Sequence, residues 1–244
     1  MNAKQSAIAV FDWDNTVRDG FTILDWFDYL KSCEHEYLRA RKNKIFEAID
    51  LSDRCSKQYN NGEITHDEYA ISINSYYCEA IKGWSASQLA KIADDFIPLF
   101  KKKIYKYAIE SFSHFNNINV PIYIVTGAPA LIVGKCKEEF GIKSIFSLVP
   151  EVEDDIFTGN IIENCGYSKE KNRVMDEIKA SYTCNIFGFG DSVSDLPILD
   201  KSDYPFIIGK NDIGDRGFPR IDPILCFSDL KRLYPDVFNI TIYS

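Results

Sequence analysis

The stretch that decides the fold is "AIAVFDWDNTVRDG", Ala7 to Gly20, where five apolar residues run directly into two aspartates separated by one tryptophan. Ala7 to Phe11 is short, apolar and partly β-branched, which is the composition of a strand covered on both faces in a parallel α/β sheet. Asp12 and Asp14 then stand at its carboxyl end, and alternation along an extended chain points both carboxylates into one crevice. Two like charges that close repel each other unless a cation lies between them or one of them holds a proton for catalysis. A plainer reading is a polar turn that ends a strand and caps a helix, since Asp, Asn and Thr are all common there. The stretch alone leaves both readings open.

Downstream, residues 22–100 have a helical texture, with periodic apolar residues at Ile23, Trp26, Phe27 and Leu30, then at Leu38, Ile45, Phe46 and Ile49. The segment "NNGEITHDEY" reads as a turn at Asn61-Gly62, with Thr65 and Glu68 forming a capping box for the next helix. Ser85 or Ser87 starts another helix, and Pro98 marks its end. After this unit the pattern alternates. A helix from about Tyr105 to Phe115 leads to a strand at Ile122 to Val125 that ends on Thr126-Gly127. A helix from Ala130 to Phe140 follows, then a short strand in "SIFSLVP", a hairpin in "DDIFTGNIIE" with its turn near Gly159, and a helix from Lys169 to Ala180. "NIFGFGDSVSDLPIL" repeats the opening theme, an apolar strand running into Asp191 with Asp195 beyond it. "YPFIIG" reads as a fifth strand, and "FSDLKRLYP" as a late helix capped by Ser228. Such alternation implies right-handed crossovers and a mainly parallel sheet, whose ligands bind at the carboxyl ends of the strands.

At 244 residues, with 45% hydrophobic and 14% aromatic residues, the chain can bury a substantial core as one large domain or as one carrying an insertion. No apolar run approaches the roughly 18 residues a membrane helix needs, and the N-terminal apolar run is too short for a signal peptide. A soluble, cytoplasmic protein is the expectation. The seven cysteines are scattered without a CxxC pair, which suits ordinary thiols better than a disulfide framework or a zinc site. The net charge of −8 argues against nonspecific nucleic-acid binding, and Lys101 to Lys103 reads as a solvated helix face.

Taken in order, "DWDNT" (Asp12 to Thr16), Thr126, Lys171 and "GDSVSD" (Gly190 to Asp195) resemble the four motifs of the haloacid dehalogenase superfamily of phosphatases, and the texture around "NGEITHDEY" and "GYSKEKNRVM" looks most like its phosphoserine-phosphatase-like branch. The resemblance implies a Rossmann-like doubly wound parallel α/β core over residues 1–17 and 101–244. A type 1 helical cap is implied over residues 18–100, joined by linkers at Gly20 and near Pro98 to Lys102, with the site in the cleft between. It also implies roles for individual residues. Asp12 would attack phosphorus and form an aspartyl phosphate, and Asp14 would protonate the leaving alkoxide and then activate water. Thr126, the Gly127 amide and Lys171 would hold the phosphoryl oxygens. Mg²⁺ would sit on Asp12, Asp191 and the backbone carbonyl of Asp14, with Asp195 orienting its neighbours. Lys169 competes with Lys171 for the third motif, and Lys171 is preferred because the apolar helix face behind it, at Val174, Met175 and Ile178, matches the family's lysine-to-helix pattern.

The implied substrate is a small-molecule phosphate monoester. Asp14 favours a phosphatase or a phosphotransferase or mutase over a dehalogenase, because displacing halide needs no leaving-group acid. A non-catalytic scaffold and a receiver-like phospho-signalling domain remain as readings of a different class. Phosphoserine itself fits poorly. The glutamate that phosphoserine phosphatases place nine residues after the nucleophile is Phe21 here, with Asp19 two residues earlier. Phe21, Trp26, Tyr29 and Trp84 either line an apolar or cation-binding pocket or belong to the helix core.

Overall fold

The computed structural model describes residues 7–238, so the ends of the expected core, residues 1–6 and 239–244, lie outside the described residues. Strand β1 (Ala7–Phe11) is buried along its whole length and sits at the centre of the sheet. Helices α1 (Thr22–Ser32), α2 (Lys42–Asn60), α3 (His66–Ala80) and α4 (Ala86–Lys101) follow, then α5 (Lys106–Asn117). The rest alternates: β2 (Ile122–Pro129), α6 (Ala130–Val133), β3 (Ile142–Glu153), β4 (Ile156–Glu163), α7 (Ser168–Ser181), β5 (Asn185–Gly190), α8 (Leu196–Asp200), β6 (Tyr204–Ile208), β7 (Arg220–Ile221), α9 (Phe227–Leu233) and α10 (Pro235–Phe238).

The seven strands order as β4-β3-β2-β1-β5-β6-β7, parallel throughout except for the β3–β4 hairpin. Chain order reverses at β1, whose neighbours are β2 and β5, so the ends of these three strands meet at the topological switch point where α/β sheets bind ligands. The pleat sends Ala9 and Phe11 to a face packed with Phe112, Phe115 and Phe189, and Ile8 and Val10 to a face packed with Val174, Met175 and Ile178. Phe11 stacks on Phe189 with ring centroids 4.1 Å apart and meets Phe112 edge-on at 5.1 Å.

Between β1 and α5 the described residues form helices and turns, with three isolated bridges, Asp14 to Arg18, Arg18 to Ile104 and Ser85 to Ile156. The capping box at Thr65 and Glu68 forms as expected. Two chain crossings join this helical insertion to the sheet. They pair with each other, Asp19 N–H donating to the Lys103 carbonyl at 2.8 Å and Tyr105 N–H to the Val17 carbonyl at 2.9 Å. A second attachment lies on the far side. Gly83 and Ala86 N–H donate to the Phe157 and Asp155 carbonyls at 2.8 and 2.7 Å, Phe157 N–H donates to the Trp84 carbonyl at 2.9 Å, and the Asp155 carboxylate accepts from Ser87 N–H at 2.8 Å.

Several local expectations are corrected. Helix α4 continues through Pro98 to Lys101, because Pro98 lies on the exposed face where the freed Asp94 carbonyl meets water while Phe100 is buried. The hairpin turns at Asp154-Asp155, not near Gly159. Both aspartates have positive φ (47° and 67°), as a two-residue turn demands, and Gly159 lies inside β4. The helix expected from Ala130 to Phe140 stops at Val133 and tightens into a 3-10 turn over Gly134–Cys136, where Gly134 weakens the helix, and β2 runs on to Pro129. Cys226, with Asp229, caps the late helix in place of Ser228. Phe46 is exposed on the outer face of α2. Lys101 and Lys103 are paired, with Glu139 and Asp25, and are not simply solvated. All seven cysteines are free thiols. No helix among the described residues is long and apolar enough to cross a membrane.

Phe115 is 1% exposed and packs against Phe11, Phe187, Phe189 and Phe227 below the sheet. Phe115→Ala is therefore expected to destabilise the protein by about 3–5 kcal/mol in urea unfolding; a cost under about 1 kcal/mol would contradict this packing.

Candidate active site

The local backbone after β1 sets up the site. Asp12 N–H still bonds to the Phe189 carbonyl at 2.9 Å, and the chain then turns tightly, with Val17 N–H donating to the Trp13 carbonyl at 2.7 Å. Asn15 takes the left-handed conformation (φ 58°), which asparagine tolerates better than most residues, and its side chain accepts from Gly20 N–H at 3.0 Å. The Tyr107 hydroxyl holds the turn from below by donating to the Thr16 carbonyl.

On this turn the Asp12 carboxylate, 5% exposed, accepts from Lys171 Nζ at 2.7 Å. Lys171 lies in the first turn of α7 and is buried, whereas Lys169 is exposed. Geometry therefore selects Lys171 as the lysine facing Asp12. Lys171 also donates to Asp195, whose other oxygen accepts Asp191 N–H (3.0 Å), Ser192 N–H (2.9 Å) and the Ser192 hydroxyl (2.8 Å). Asp191, at the end of β5, accepts from Thr16 Oγ1 at 3.1 Å and from Asn211 Nδ2 at 3.0 Å. Asp14 is half-buried and accepts from Thr22 N–H at 3.0 Å, from the Thr22 hydroxyl and from Arg18 at 3.4 Å. Thr126 and Gly127 line the same cleft, Thr126 Oγ1 accepting from Ala128 N–H at 3.0 Å. Gly127 is constrained by space, since a Cβ there would lie 2.8 Å from the Gly166 Cα.

All seven residues singled out from the sequence thus meet at the carboxyl ends of the central strands, with Lys171 reaching in from α7 and Asp195 from the turn after β5. Six line the cleft, and Asp195 lies just beneath. Of the four aromatic candidates, Phe21 lines the cleft, while Trp26 and Trp84 are buried in the hydrophobic core and Tyr29 packs against it. Asp19 lies away from the lining and accepts from the Tyr105 hydroxyl at 3.3 Å. Sequence reasoning missed Thr16 and Asn211 as partners of Asp191, and missed Ser56, Tyr59, His66, Tyr69 and Asn74 on the wall formed by α2 and α3. His66 and Tyr69 sit inside or beside the quoted capping segment, yet only tertiary packing turns them toward the cleft.

The electrostatics of the floor are unbalanced. Carboxylate oxygens of Asp12, Asp191 and Asp195 lie within 4.8 Å of one another, with Lys171 as the cation among them. Burial, reinforced by Asp195, pushes Asp12 up to about 7 despite Lys171. Burial together with Asp195 and Asp12 pushes Asp191 well above the usual carboxylate range. Asp195 is also buried, but Lys171 and the Ser192 bonds outweigh the burial and hold it low. Lys171 is raised, because attraction to Asp12 and Asp195 overcomes its desolvation. Buried like charges with one compensating ammonium and only hard oxygen donors fit a divalent cation of the Mg²⁺ type. Asp12 accepts one side-chain hydrogen bond and each Asp191 oxygen accepts one, which leaves lone pairs for it, whereas one Asp195 oxygen already accepts three hydrogen bonds and the other accepts from Lys171.

Comparison with known proteins bears on the family and the fold. Residues 9–200 match the family model described as haloacid dehalogenase-like hydrolase. No curated protein sequence matches significantly. Among solved structures, a Bordetella pertussis protein of unknown function shares 19% identity over 90% of this chain and 100% of its own, with a TM-score of 0.69. A phospho-aspartyl intermediate analogue of phosphoserine phosphatase shares 16% over 95% and 99%, with a TM-score of 0.65. A Salmonella enterica HAD-family hydrolase shares 15% over 100% of this chain and 74% of its own, with a TM-score of 0.68. At these identities the structures establish a shared fold.

The raised Asp12 has a consequence for stability. In metal-free protein the folded state takes up a proton on Asp12 near pH 7, while the unfolded carboxylate, with its value of 3.8, does not. Stability should therefore rise as pH falls from about 8 to about 5, the folded state binding more protons across that window. A divalent cation competes with that proton, so added Mg²⁺ should raise the melting temperature more at pH 8 than at pH 6. Equal Mg²⁺ stabilisation at both pH values would contradict the raised Asp12.

Proposed function

We propose that this chain, which belongs to the haloacid dehalogenase-like hydrolase family, is a Mg²⁺-dependent phosphatase that hydrolyses a small-molecule phosphate monoester through an aspartyl-phosphate intermediate. The observation that carries the reading is the Asp12–Lys171 pair at 2.7 Å on the floor of a cleft that also holds Thr126, Gly127 and Asp14.

A phosphate monoester resists attack because its anionic oxygens repel a nucleophile, so the site must neutralise charge and align the approach. Lys171 fixes the Asp12 carboxylate and brings positive charge to the phosphoryl oxygens. Thr126 and the Gly127 amide supply hydrogen-bond donors to the same oxygens. An Asp12 oxygen attacks phosphorus, the P–O bond to the alcohol breaks, and Asp14 gives its proton to the departing alkoxide. Burial holds Asp14 above the usual carboxylate range against the pull of Arg18 and Thr22, which favours the protonated acid this step needs. Asp14 then takes a proton from the water that attacks phosphorus and frees Asp12. The cation, held by Asp12, Asp191 and the Asp14 carbonyl, would supply charge neutralisation for nucleophile and phosphate. Asp195 acts through its neighbours, fixing Lys171 and the Asp191–Ser192 backbone.

Two mutations test the assignment. Asp12→Asn is expected to abolish turnover without loss of fold, because the amide is nearly isosteric but neither attacks phosphorus nor carries the charge; an active Asp12→Asn protein would remove the phosphatase reading. Asp14→Asn should lower activity by about 10²–10⁴-fold on alkyl phosphates and by less on p-nitrophenyl phosphate, whose leaving group departs without a proton. Equal losses on both would remove the acid role. Excess EDTA should silence the enzyme and Mg²⁺ should restore it, whereas full activity in EDTA or a strict zinc requirement would exclude Mg²⁺.

A further inference from the structure

The cleft has about 710 Å³ of room, within the range of about 300–1,000 Å³ that holds drug-sized ligands and far more than a phosphoryl group occupies. Its floor is the charged machinery described above. Its opposite wall, built by the start of α1 and by α2 and α3, is of another character. Among the described residues that line it, this wall carries no Asp, Glu, Lys or Arg. It presents Phe21, Tyr59, His66, Tyr69, Ile73 and Asn74 instead.

These side chains form an ordered surface. Tyr59 stacks on Tyr69 with centroids 5.1 Å apart, and His66 meets Tyr59 edge-on at 5.5 Å. Burial holds the imidazole below its usual range, so at neutral pH it is an uncharged group with one donor and one acceptor. Its Nδ1 is shielded from solvent and has no hydrogen-bond partner among the described residues. The wall is also held against the floor, Asn74 Nδ2 donating to Asn164 Oδ1 at 2.6 Å and the Ser168 N–H and hydroxyl donating to Asp67 at 3.1 and 2.9 Å. A leaving alcohol that extends from a phosphate on Asp12 toward α2 and α3 lies against this surface, while Lys210 and Asp212 of the loop after β6 also line the cleft.

We propose that the cleft selects phosphate monoesters whose alcohol is an uncharged, ring-bearing group with a hydrogen-bonding edge, a specificity that rests on the phosphatase reading. A ring gains contact with Tyr59, Tyr69 and Phe21, and its polar edge meets the His66 and Asn74 side chains. Against that wall a zwitterionic alcohol such as serine finds no counter-charge for its ammonium or its carboxylate, which is costly, the charged Lys210 and Asp212 belonging to the loop after β6 and not to α2 or α3. The same chemistry is carried by nucleosides and by sugars, and the test separates the two.

Steady-state hydrolysis is measured with uridine 5′-monophosphate, glucose 6-phosphate, O-phospho-L-serine and phosphocholine, with acetyl phosphate, an acyl phosphate without a ring, as a small reference substrate. The better of the two ring esters should exceed phosphoserine and phosphocholine in kcat/KM by about tenfold or more, and its identity assigns the ring as heteroaromatic or saccharide. His66→Leu should raise KM for that ester more than for acetyl phosphate, with His66→Gln recovering part of the difference. Thermal-shift binding of the same esters to the Asp12→Asn protein reads the same ranking without turnover. Preserved ranking without hydrolysis by the unaltered protein overturns the phosphatase reading alone. Phosphoserine or phosphocholine matching the ring esters, with hydrolysis intact, overturns the proposed specificity alone.

Discussion

One buried ammonium among three buried carboxylates is the constraint on which the rest of the molecule depends. Lys171 comes from α7, Asp12 from the end of β1, and Asp191 and Asp195 from the turn after β5. Charges removed from water in this way are tolerable only when geometry is close and the remaining lone pairs meet hydrogen-bond donors or a cation. That requirement explains the polar supports around them: Thr16 and Asn211 on Asp191, and Ser192 on Asp195. It also explains the apolar bulk beneath, because the aromatic layer around Phe11, Phe115 and Phe189 holds β1 and β5 in the register that sets these carboxylates side by side.

A second group of charges governs how the helical insertion sits over this floor. Arg18 is fully buried where the two chain crossings pair, and its guanidinium reaches Asp14 on one side and Asp25 of α1 on the other, over the Phe100 ring at 4.8 Å. Lys103 closes the ring of charges with Asp25 at 2.9 Å. On the far side the β3–β4 hairpin grips residues 83–87 through backbone and Asp155 bonds. The insertion is thus held to the sheet at both of these places. The close approach of Gly127, Gly166 and Asn74 adds a third contact, beside the cleft itself.

Much of this was legible along the chain. Apolar runs ending in aspartate, a Thr-Gly after a strand and a lysine opening a helix each have a local reason, so sequence order and strand chemistry were enough to bring Asp12, Asp14, Thr126, Gly127, Lys171, Asp191 and Asp195 to one sheet edge. The errors share a cause as well. Local preference points to Gly159, Pro98 and Ser228 as turn and helix limits, whereas pairing and burial of their neighbours set the limits actually seen. Asp154 and Asp155 accept positive φ because β3 and β4 pair on either side of them, and Pro98 stays helical because Phe100 is buried beyond it.

The sequence by itself determined the strand-end carboxylates, the alternating α/β order and the helical texture of the insertion, because periodicity and strand chemistry are properties of consecutive residues. Tertiary structure alone decided that Trp26 and Trp84 are core while Phe21 lines the cleft, and that Tyr59, His66, Tyr69 and Asn74 form its opposite wall. Each of these depends on the rotation of a helix about its own axis relative to a partner far away in the chain. That rotation is fixed by packing and by buried charge, which no local pattern records.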